Sequence, residues 1–514
     1  MKSIRKLLPA IAIASICGAA HADTPYILEP QAFAMKWKAE VMANTGKGSL
    51  APSYMASNRH GIITQGDNLL ARAAAWKPMT TVSRFSYGFG IDMLGGVSSS
   101  TPYMRYNASE AKWGSVSRRP PYVWLQQLYG EVKFRGVFLT VGMKEHGSAL
   151  LDQRLSSGDL VESGNSRPIP EVRAGFIDFQ DIPFTRGWVQ IQGEISYGKM
   201  MDNKWLRNHY NYYDYHLNQG ALYTYKRCYF RTKPSMPLSV TVGMQVGAFF
   251  GGTTAYYDNG RLSRSETYSR SPRQFIKMLI PTDGGVDYYA GSSLGSWDIM
   301  FRYNFKNGYT LKAYLQKPFE DGSGIGFLNG FDGIWGLELK TGGKGLVTGA
   351  VVEYLDFTNQ SGPLHWDYED HPGSDLKGVA QGADNYYNNA AYNSYANYGM
   401  NIGSPVLRSP IYNTDGFPGV LHNLVRGFHA GVEGQIMPNL SYRLLGGYRR
   451  SWGTPFYPLT GSIHTTSAML EGSYSVESVK GLDVGVQLAF DYGKLYGKNV
   501  GALVSVTYRG DLRF

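Results

Sequence analysis

Hydrophobic and polar residues alternate with a period of two along most of this chain, which is the pattern of β-strands with two different faces. Residues 237–250, 296–306 and 481–493 show the alternation most clearly. In the last of these runs, Leu482, Val484, Val486, Leu488, Phe490 and Tyr492 are opposed by Asp483, Gly485, Gln487, Ala489 and Asp491. Helical spacing fits none of these runs, so the chain is predicted to be all-β.

The length and polar composition of these strands favour a membrane-spanning barrel over a soluble sandwich. The strands run about 9–14 residues, which is long enough to cross a bilayer at a tilt, whereas soluble strands usually have about five or six residues. Gly, Ser, Thr, Asp, Gln and Arg dominate the polar face, as expected for a wet or plugged lumen. Aromatic residues such as Tyr303 and Phe305 lie near strand ends, as in interfacial girdles.

Eighteen strands are predicted, which is an even number and fits a bacterial barrel. They are 32–43, 68–77, 81–95, 122–135, 137–145, 172–180, 187–198, 221–232, 237–250, 296–306, 308–317, 330–341, 345–357, 423–437, 439–450, 464–477, 481–493 and 499–514. Short turns, such as the hairpin signal Asn307-Gly308, alternate with longer connections, so all short turns fall on the periplasmic side when both termini are inside. The predicted fold is a transmembrane antiparallel β-barrel of about 18 strands with long extracellular loops, and loop 146–171 is expected to fold into the lumen.

The two ends of the sequence indicate export and assembly into the outer membrane. Residues 1–22 have a basic start, an apolar stretch and the small-x-small site Ala20-His21-Ala22, and are predicted to be a signal peptide. The mature chain is expected to start at Asp23, with 23–514 forming the barrel and its plug and extracellular loops. Phe514 closes an alternating final strand, which resembles the signal read by the barrel assembly machinery.

The amino-acid composition argues against several classes of protein and of binding site. The chain has 63 Gly and 38 Tyr, only 18% charged residues and a mean hydropathy of −0.28, which argues against a helical inner-membrane protein and against global disorder. Removal of residues 1–22 would leave Cys228 as the single cysteine, so neither an intrachain disulfide nor a cysteine metal site is expected. The basic pI of 9.2 does not indicate nucleic-acid binding, because the chain is exported and carries no such motif.

Residues 142–198 carry a set of distinctive motifs, namely Gly142-Met143-Lys144-Glu145, 155–167 (LSSGDLVESGNSR) and Pro168-Ile169-Pro170-Glu171-Val172-Arg173, with looser similarity at 54–66 and 226–234. The resemblance that these motifs carry is to the Wzi-like capsule-assembly proteins of the outer membrane, in the form seen in Bacteroides-type bacteria. It implies an eighteen-stranded barrel with an occluded lumen and a role in holding capsular polysaccharide at the cell surface. Enterobacterial members carry a periplasmic helical bundle before the barrel, whereas only residues 23–31 precede the first predicted strand here.

Candidate glycan-binding residues lie in four predicted extracellular loops, because aromatic rings cover the apolar faces of sugars and amides or arginines bind their polar groups. They are Arg118 and Arg119 in 96–121, Arg154, Asn165 and Arg167 in 146–171, Trp205, Tyr212 and Tyr213 in 203–218, and Trp366, Tyr386 and Tyr387 in 358–422. The alternative for 146–171 is a plug held by arginine–carboxylate bonds without any ligand. For the Tyr- and Asn-rich loops, the alternative is that these residues simply suit ordered, wet loops.

The function expected from the sequence is non-catalytic binding and retention of capsular or other surface polysaccharide in the outer membrane. The expected partners are this polysaccharide, outer-membrane lipids and lipopolysaccharide, and the assembly machinery; no cofactor, metal or catalytic residue is expected. A porin or specific sugar channel stays open, because Lys36, Lys38, Arg72, Arg84 and Arg302 face the predicted lumen. An outer-membrane hydrolase and a purely structural barrel also stay open, although His146-Gly147-Ser148 alone does not indicate a nucleophile and base.

Overall fold

The computed structural model describes residues 34–80, 82–278, 291–362, 365–366, 380–382 and 384–513. Within them, eighteen long antiparallel strands form one sheet, to which the two-residue strand Gln180–Asp181 is added. They are β1 (Ala34–Gly46), β2 (Asn68–Lys77), β3 (Phe85–Ser98), β4 (Val123–Phe134), β5 (Val137–Met143), β6 (Pro170–Phe176), β7 (Val189–Lys199), β8 (Leu222–Thr232), β9 (Leu238–Phe250), β10 (Ser292–Asn304), β11 (Thr310–Phe319), β12 (Gly333–Lys340), β13 (Gly349–Asp356), β14 (Val425–Met437), β15 (Leu440–Gly453), β16 (Pro458–Ser475), β17 (Leu482–Gly493) and β18 (Gly497–Arg513).

The sheet closes into a barrel because the first strand pairs with the last. β1 pairs with β18 from Ala34↔Arg513 to Gly46↔Gly501, and every other strand pairs with its neighbours in sequence. The predicted strand count, order and antiparallel closure are therefore confirmed. The predicted leader 1–22, residues 23–33 and Phe514 lie outside the described residues.

Several predicted strand boundaries were wrong, mostly at the ends that meet the long loops. β16 begins at Pro458 instead of 464, β10 at Ser292 instead of 296, and β3 runs to Ser98 instead of 95. Backbone pairing continues there past the apolar belt, so the hydrophobic alternation that marked the strand stops before the hydrogen bonds do. Three short-turn ends were also wrong: β3 begins at Phe85 instead of 81, β6 ends at Phe176 instead of 180, and β13 begins at Gly349 instead of 345. At the short turn Asn307-Gly308, the glycine has φ +86°.

Short elements decorate the long-loop end. The helices are α1 (Ser53–Ala56), α2 (Asn203–His209), α3 (Pro272–Lys277) and α4 (Gly322–Ile325), with a 3₁₀ turn at Pro410–Tyr412. The additional strands there are Thr101–Asn107 with Lys112–Arg118, Tyr215–Gln219 with Gly252–Asp258 and Arg261–Tyr268, His365–Trp366 with Ala380–Gln381, and Ala396–Asn397 with Met400–Asn401. At the opposite, short-turn end, Gln180–Asp181 pairs with the start of β7. No helix in the described part of the chain is long and apolar enough to cross a membrane.

The two faces of the barrel wall differ as the alternation predicts. Exposed apolar side chains such as Leu488 and Phe490 face outward, while Gln487 and Asp491 on the same strand face inward and are buried. An apolar outer belt over a polar interior is the arrangement of a transmembrane barrel, whose long loops lie on the extracellular side.

Three extracellular loops fold back into the lumen and together form the plug. They are 47–67, 144–169 and 384–424. In the first loop, Ser53 donates its backbone N–H (2.7 Å) and its hydroxyl (2.6 Å) to the inward-facing Asp491 carboxylate of β17. The sequence predicted that loop 146–171 enters the lumen, which is confirmed, but it did not predict the other two.

The second loop is fixed by a buried carboxylate that reaches two distant strands. Asp159 accepts hydrogen bonds from the side-chain amides of Gln245 on β9 (2.8 Å) and Gln316 on β11 (2.9 Å). The loops also bind each other: Tyr387 donates its hydroxyl to the Leu160 carbonyl at 2.5 Å. The plug is therefore one packed unit that contacts several sides of the barrel.

Candidate functional site: an extracellular aromatic surface

A hairpin between β3 and β4 stands at the extracellular end of the barrel. Its strands, Thr101–Asn107 and Lys112–Arg118, place Tyr106 directly opposite Trp113. The hairpin is held from the side, because the Tyr106 N–H donates to the Asn211 carbonyl (2.8 Å) and the Met104 N–H donates to the Thr414 carbonyl (2.8 Å). These bonds bring the hairpin against the segment that follows α2.

Three rings from these two segments meet at the tip of the hairpin. The Tyr213 ring centroid lies 4.9 Å from that of Tyr106 and 5.0 Å from that of Trp113, and the Tyr106 and Trp113 centroids are 5.4 Å apart. Tyr212 lies beside them, with the Arg105 guanidinium 4.8 Å from its ring centroid. We call Tyr106, Trp113, Tyr212 and Tyr213 the aromatic surface.

A groove of about 500 Å³ runs along this hairpin. Arg105, Lys112 and Glu110 line it together with Tyr106 and the 39%-exposed Trp113. Flat rings beside charged and amide groups suit a sugar, which presents apolar C–H faces and a rim of hydroxyls. Two cations against one carboxylate favour a ligand with negative charge.

Arg118 lies at the base of the same hairpin, close enough to Arg105 for the two positive charges to repel each other. Burial, together with the neighbouring Arg105, lowers the pKa of Arg118. Its Nε atom has no hydrogen-bond partner among the described residues. An anionic group bound nearby would stabilise both guanidinium groups.

The structure brings together three of the eleven sequence-predicted residues: Arg118, Tyr212 and Tyr213. Arg119 lies on the same side of the barrel, 4.4 Å from the Tyr122 ring centroid. The sequence analysis did not select Tyr106 and Trp113, although two aromatic residues flanking a polar turn in the basic loop 96–121 are the signal that marks them.

The other predicted residues belong to the plug or to its supports. Tyr386 and Tyr387 are fully buried, and Asn165 donates its amide to the Asn401 carbonyl (3.0 Å). Arg167 lies between Trp124 and Tyr398, with its guanidinium 4.6 and 4.8 Å from their ring centroids. Trp205 stacks on His209, with centroids 4.5 Å apart. The side chain of Trp366 lies outside the described residues.

Arg154 lies toward the periplasmic side of the lumen, away from the aromatic surface. Its Nε donates to Glu433 (3.0 Å), and its Nη2 lies 3.4 Å from Glu471. These ion pairs agree with the alternative interpretation of loop 146–171, in which arginine–carboxylate bonds hold the plug without any ligand. Arg72, one of the charged lumen residues, is likewise paired with Asp92 and Glu145.

The His-Gly-Ser sequence forms two separate contacts. Ser148 donates its hydroxyl to Asp159 (2.7 Å), whereas His146 Nε2 lies 3.2 Å from Glu171. Within the described ranges, no group of three or more His, Cys, Asp and Glu residues is arranged to hold a metal ion.

Comparison with known proteins supports the fold. No family model and no curated protein sequence matches the chain. Among solved structures, it is similar to Wzi of Escherichia coli, described as a carbohydrate-binding outer-membrane β-barrel involved in group 1 capsule assembly (TM-score 0.53, 12% identity, 94% of this chain and 85% of that chain). The chain has the fold of an outer-membrane β-barrel.

Two further solved structures are similar at lower TM-scores. OccAB2 of Acinetobacter baumannii has a TM-score of 0.47 and 8% identity over 93% of this chain and 98% of that chain. OccK3 of Pseudomonas aeruginosa has a TM-score of 0.43 and 12% identity over 93% of this chain and 96% of that chain. The resemblance to Wzi-like proteins expected from the sequence holds at the level of the fold alone, through the similarity to Wzi. The closed barrel with an apolar outer surface is the fold of an outer-membrane protein, which agrees with the expected location.

Proposed function

We propose that this protein binds surface polysaccharide at its extracellular end and retains it at the cell during capsule assembly, without catalysis. The observation that carries the proposal is the aromatic surface, where Tyr106, Trp113 and Tyr213 meet beside a groove lined by Arg105 and Lys112. The groove opens outward from the barrel, where a capsule would lie. The carbohydrate binding described for Wzi, which has a similar fold, supports the same class of ligand.

The cation-rich groove indicates an acidic polysaccharide as the preferred ligand. Arg105 and Arg118 add positive charge around rings that cover the sugar faces, so uronic acid or phosphate groups would bind there. Salt is then expected to weaken binding, because exposed charges are screened at ionic strengths near 0.15 M and above.

The test is the partition of capsule between cells and medium. A deletion strain is expected to release more polysaccharide at unchanged total, and the wild-type gene should restore the cell-bound share. The double variant Trp113→Ala, Tyr213→Ala should fail to restore it, because loss of two stacking rings weakens binding by about tenfold or more. Trp188→Ala, which removes an exposed tryptophan at the short-turn end, is the matched control and should restore retention.

A solute channel is the competing function. Arg154 inside the lumen keeps a side-chain exposure of 57%, so water reaches the periplasmic half of the barrel. If the double variant retains capsule as well as the wild type, the aromatic surface is not the polysaccharide site. If the deletion strain retains capsule normally, the capsule function itself fails and transport becomes the leading function.

A further inference from the structure

The membrane-facing side of strands β10–β15 carries an apolar groove of about 900 Å³. Two adjacent rows of cross-strand neighbours line it on the outward face. The row nearer the extracellular end is Ile299, Leu315, Trp335, Tyr354, Phe428 and Tyr448, and the next row is Phe301, Ala313, Leu337, Val352, Ala430 and Gly446. We call this feature the lipid-facing groove.

Small residues create the depression. The strand backbones are thinly covered where the groove is lined by Ala313, Ala430 and Gly446. The next row toward the periplasm carries the larger Val432 and Leu444. A Cβ atom built on Gly446 meets nothing within 4 Å, so the space above this residue is open. With a volume of about 900 Å³, the groove has room for a hydrocarbon chain between the aromatic row and the larger aliphatic residues.

A polar row crosses β13–β16 immediately above the β13–β15 part of the groove. Its members, in cross-strand register, are Asp356, Arg426, Arg450 and His464. Arg426 is paired with Asp356, to which its Nε donates at 2.9 Å. Arg450 donates its Nε to the Ser462 hydroxyl (2.7 Å), and among the described residues no carboxylate forms an ion pair with it.

We propose that this face binds a phosphorylated lipid of the outer leaflet, namely the lipid A part of lipopolysaccharide. An acyl chain occupies the lipid-facing groove, and a phosphate binds Arg450 together with Arg426, whose Nη2 also donates to the Thr358 hydroxyl (3.0 Å). Guanidinium groups pair with phosphate through two parallel hydrogen bonds, and one carboxylate cannot neutralise two arginines. The site lies on the outer wall and is separate from the aromatic surface.

Position and charge favour lipid A over the other possible occupants. The arginines lie at the extracellular end of the strands, so they face the headgroup region of the outer leaflet. A second copy of the barrel packed on this face with two-fold symmetry would place Arg450 against the same cationic row. Such like-charge contacts are unfavourable, whereas the anionic headgroup of lipid A neutralises them.

The experiment measures lipid binding to the full-length barrel in detergent by native mass spectrometry. The probes are bisphosphorylated lipid A, the same lipid A with both phosphates removed, and phosphatidylglycerol. Arg450→Gln is expected to weaken binding of bisphosphorylated lipid A by about tenfold and to leave binding of the dephosphorylated form unchanged. Gly446→Leu fills the groove without a backbone clash and is expected to weaken both forms.

Lys498→Gln is the matched control, because Lys498 is another outward-facing cation at the extracellular end and lies over Tyr492, away from the groove. It should leave lipid A binding unchanged. Heat-modifiable electrophoretic mobility, compared between unheated and boiled samples, checks that each variant is a folded barrel. The proposal is overturned if Arg450→Gln and Lys498→Gln weaken binding equally, if Gly446→Leu has no effect, or if phosphatidylglycerol binds as tightly as lipid A.

Discussion

Arg173 on β6 shows how a single residue can hold several parts of the lumen together. Its side chain is 3% exposed and pairs with Glu162 (2.5 Å), Glu171 (2.7 Å) and Glu194 (2.7 Å). Arg173→Met would remove the one cation that three buried carboxylates share, leaving Arg227 beside Glu194 and His146 beside Glu171. Loss of one partner of a buried ion pair typically costs about 3–5 kcal/mol. Urea unfolding of the refolded barrel can be followed by tryptophan fluorescence. The urea concentration at the unfolding midpoint should be lower for Arg173→Met than for the wild type.

Arg302→Met is the control for this change, because Arg302 also lies in the wall but its side chain is exposed. It should leave the urea midpoint nearly unchanged. Equal midpoints for Arg173→Met and the wild type would contradict a stabilising role for the carboxylate cluster.

Asp202, just before α2, gives the extracellular end a pH-dependent stability. Burial raises the pKa of Asp202 from 3.8 to about 7, while the Tyr398 N–H bonds its carboxyl group. Because the folded pKa is above the unfolded one, the stability from this group is present below about pH 4 and is lost as pH rises through 7. The two pKa values correspond to at most about 4 kcal/mol.

Asp202→Asn keeps an acceptor for the Tyr398 N–H and removes the ionisation. Its melting temperature should exceed that of the wild type at pH 8 and match it near pH 4. The buried His209, whose pKa burial lowers to about 4, titrates in both proteins and cancels in the comparison. If the melting temperatures of variant and wild type differ by the same amount at pH 4 and pH 8, ionisation of Asp202 is not the cause of the pH dependence.

The loops at the extracellular end fall into two classes, which proteolysis of intact cells should distinguish. The hairpin of the aromatic surface projects outward, so trypsin is expected to cut after the exposed Lys112. Arg154, Arg167 and Arg408 lie in the plug, where packing against the barrel keeps the backbone from entering a protease site. Mass spectrometry of the released peptides identifies the cleavage sites. Faster cleavage after Arg167 than in the hairpin would contradict the packing of loop 144–169 inside the barrel.

At the level of elements, period-two alternation was enough to find every barrel strand, because each strand has one face toward lipid and one toward the lumen. The polar, charged composition of 146–171 indicated that this loop enters the lumen, but the sequence did not reveal the other two plug loops. The contacts of the plug join residues far apart, such as Asn165 with Asn401, and follow no period. For the same reason, only part of the aromatic surface was predicted. Tyr212 and Tyr213 stand out in a loop rich in aromatic residues, but their meeting with Trp113 depends on how two loops pack.

The whole molecule combines a closed barrel with a lumen occupied by three loops, and conductance is the property that this arrangement controls. In planar bilayers the wild-type protein is expected to show little steady conductance, because the plug contacts β9, β11 and β17. Replacing residues 385–419 with a short Gly–Ser linker should raise the conductance, since it removes Tyr387 and the bond that it makes to loop 144–169. Heat-modifiable electrophoretic mobility again checks that the barrel of this variant is folded.

Replacing the tip of the outward hairpin, residues 108–111, with Gly–Ser is the control and should leave conductance at the wild-type level, because the tip lies outside the lumen. A wild-type conductance equal to that of the plug variant would mean that ions pass the folded loops, and would favour the solute channel. Low conductance in the wild type together with an increase in the plug variant alone would mean that the loops close the lumen. Solutes could then cross only if the plug moves, whereas the aromatic surface remains accessible to polysaccharide at all times.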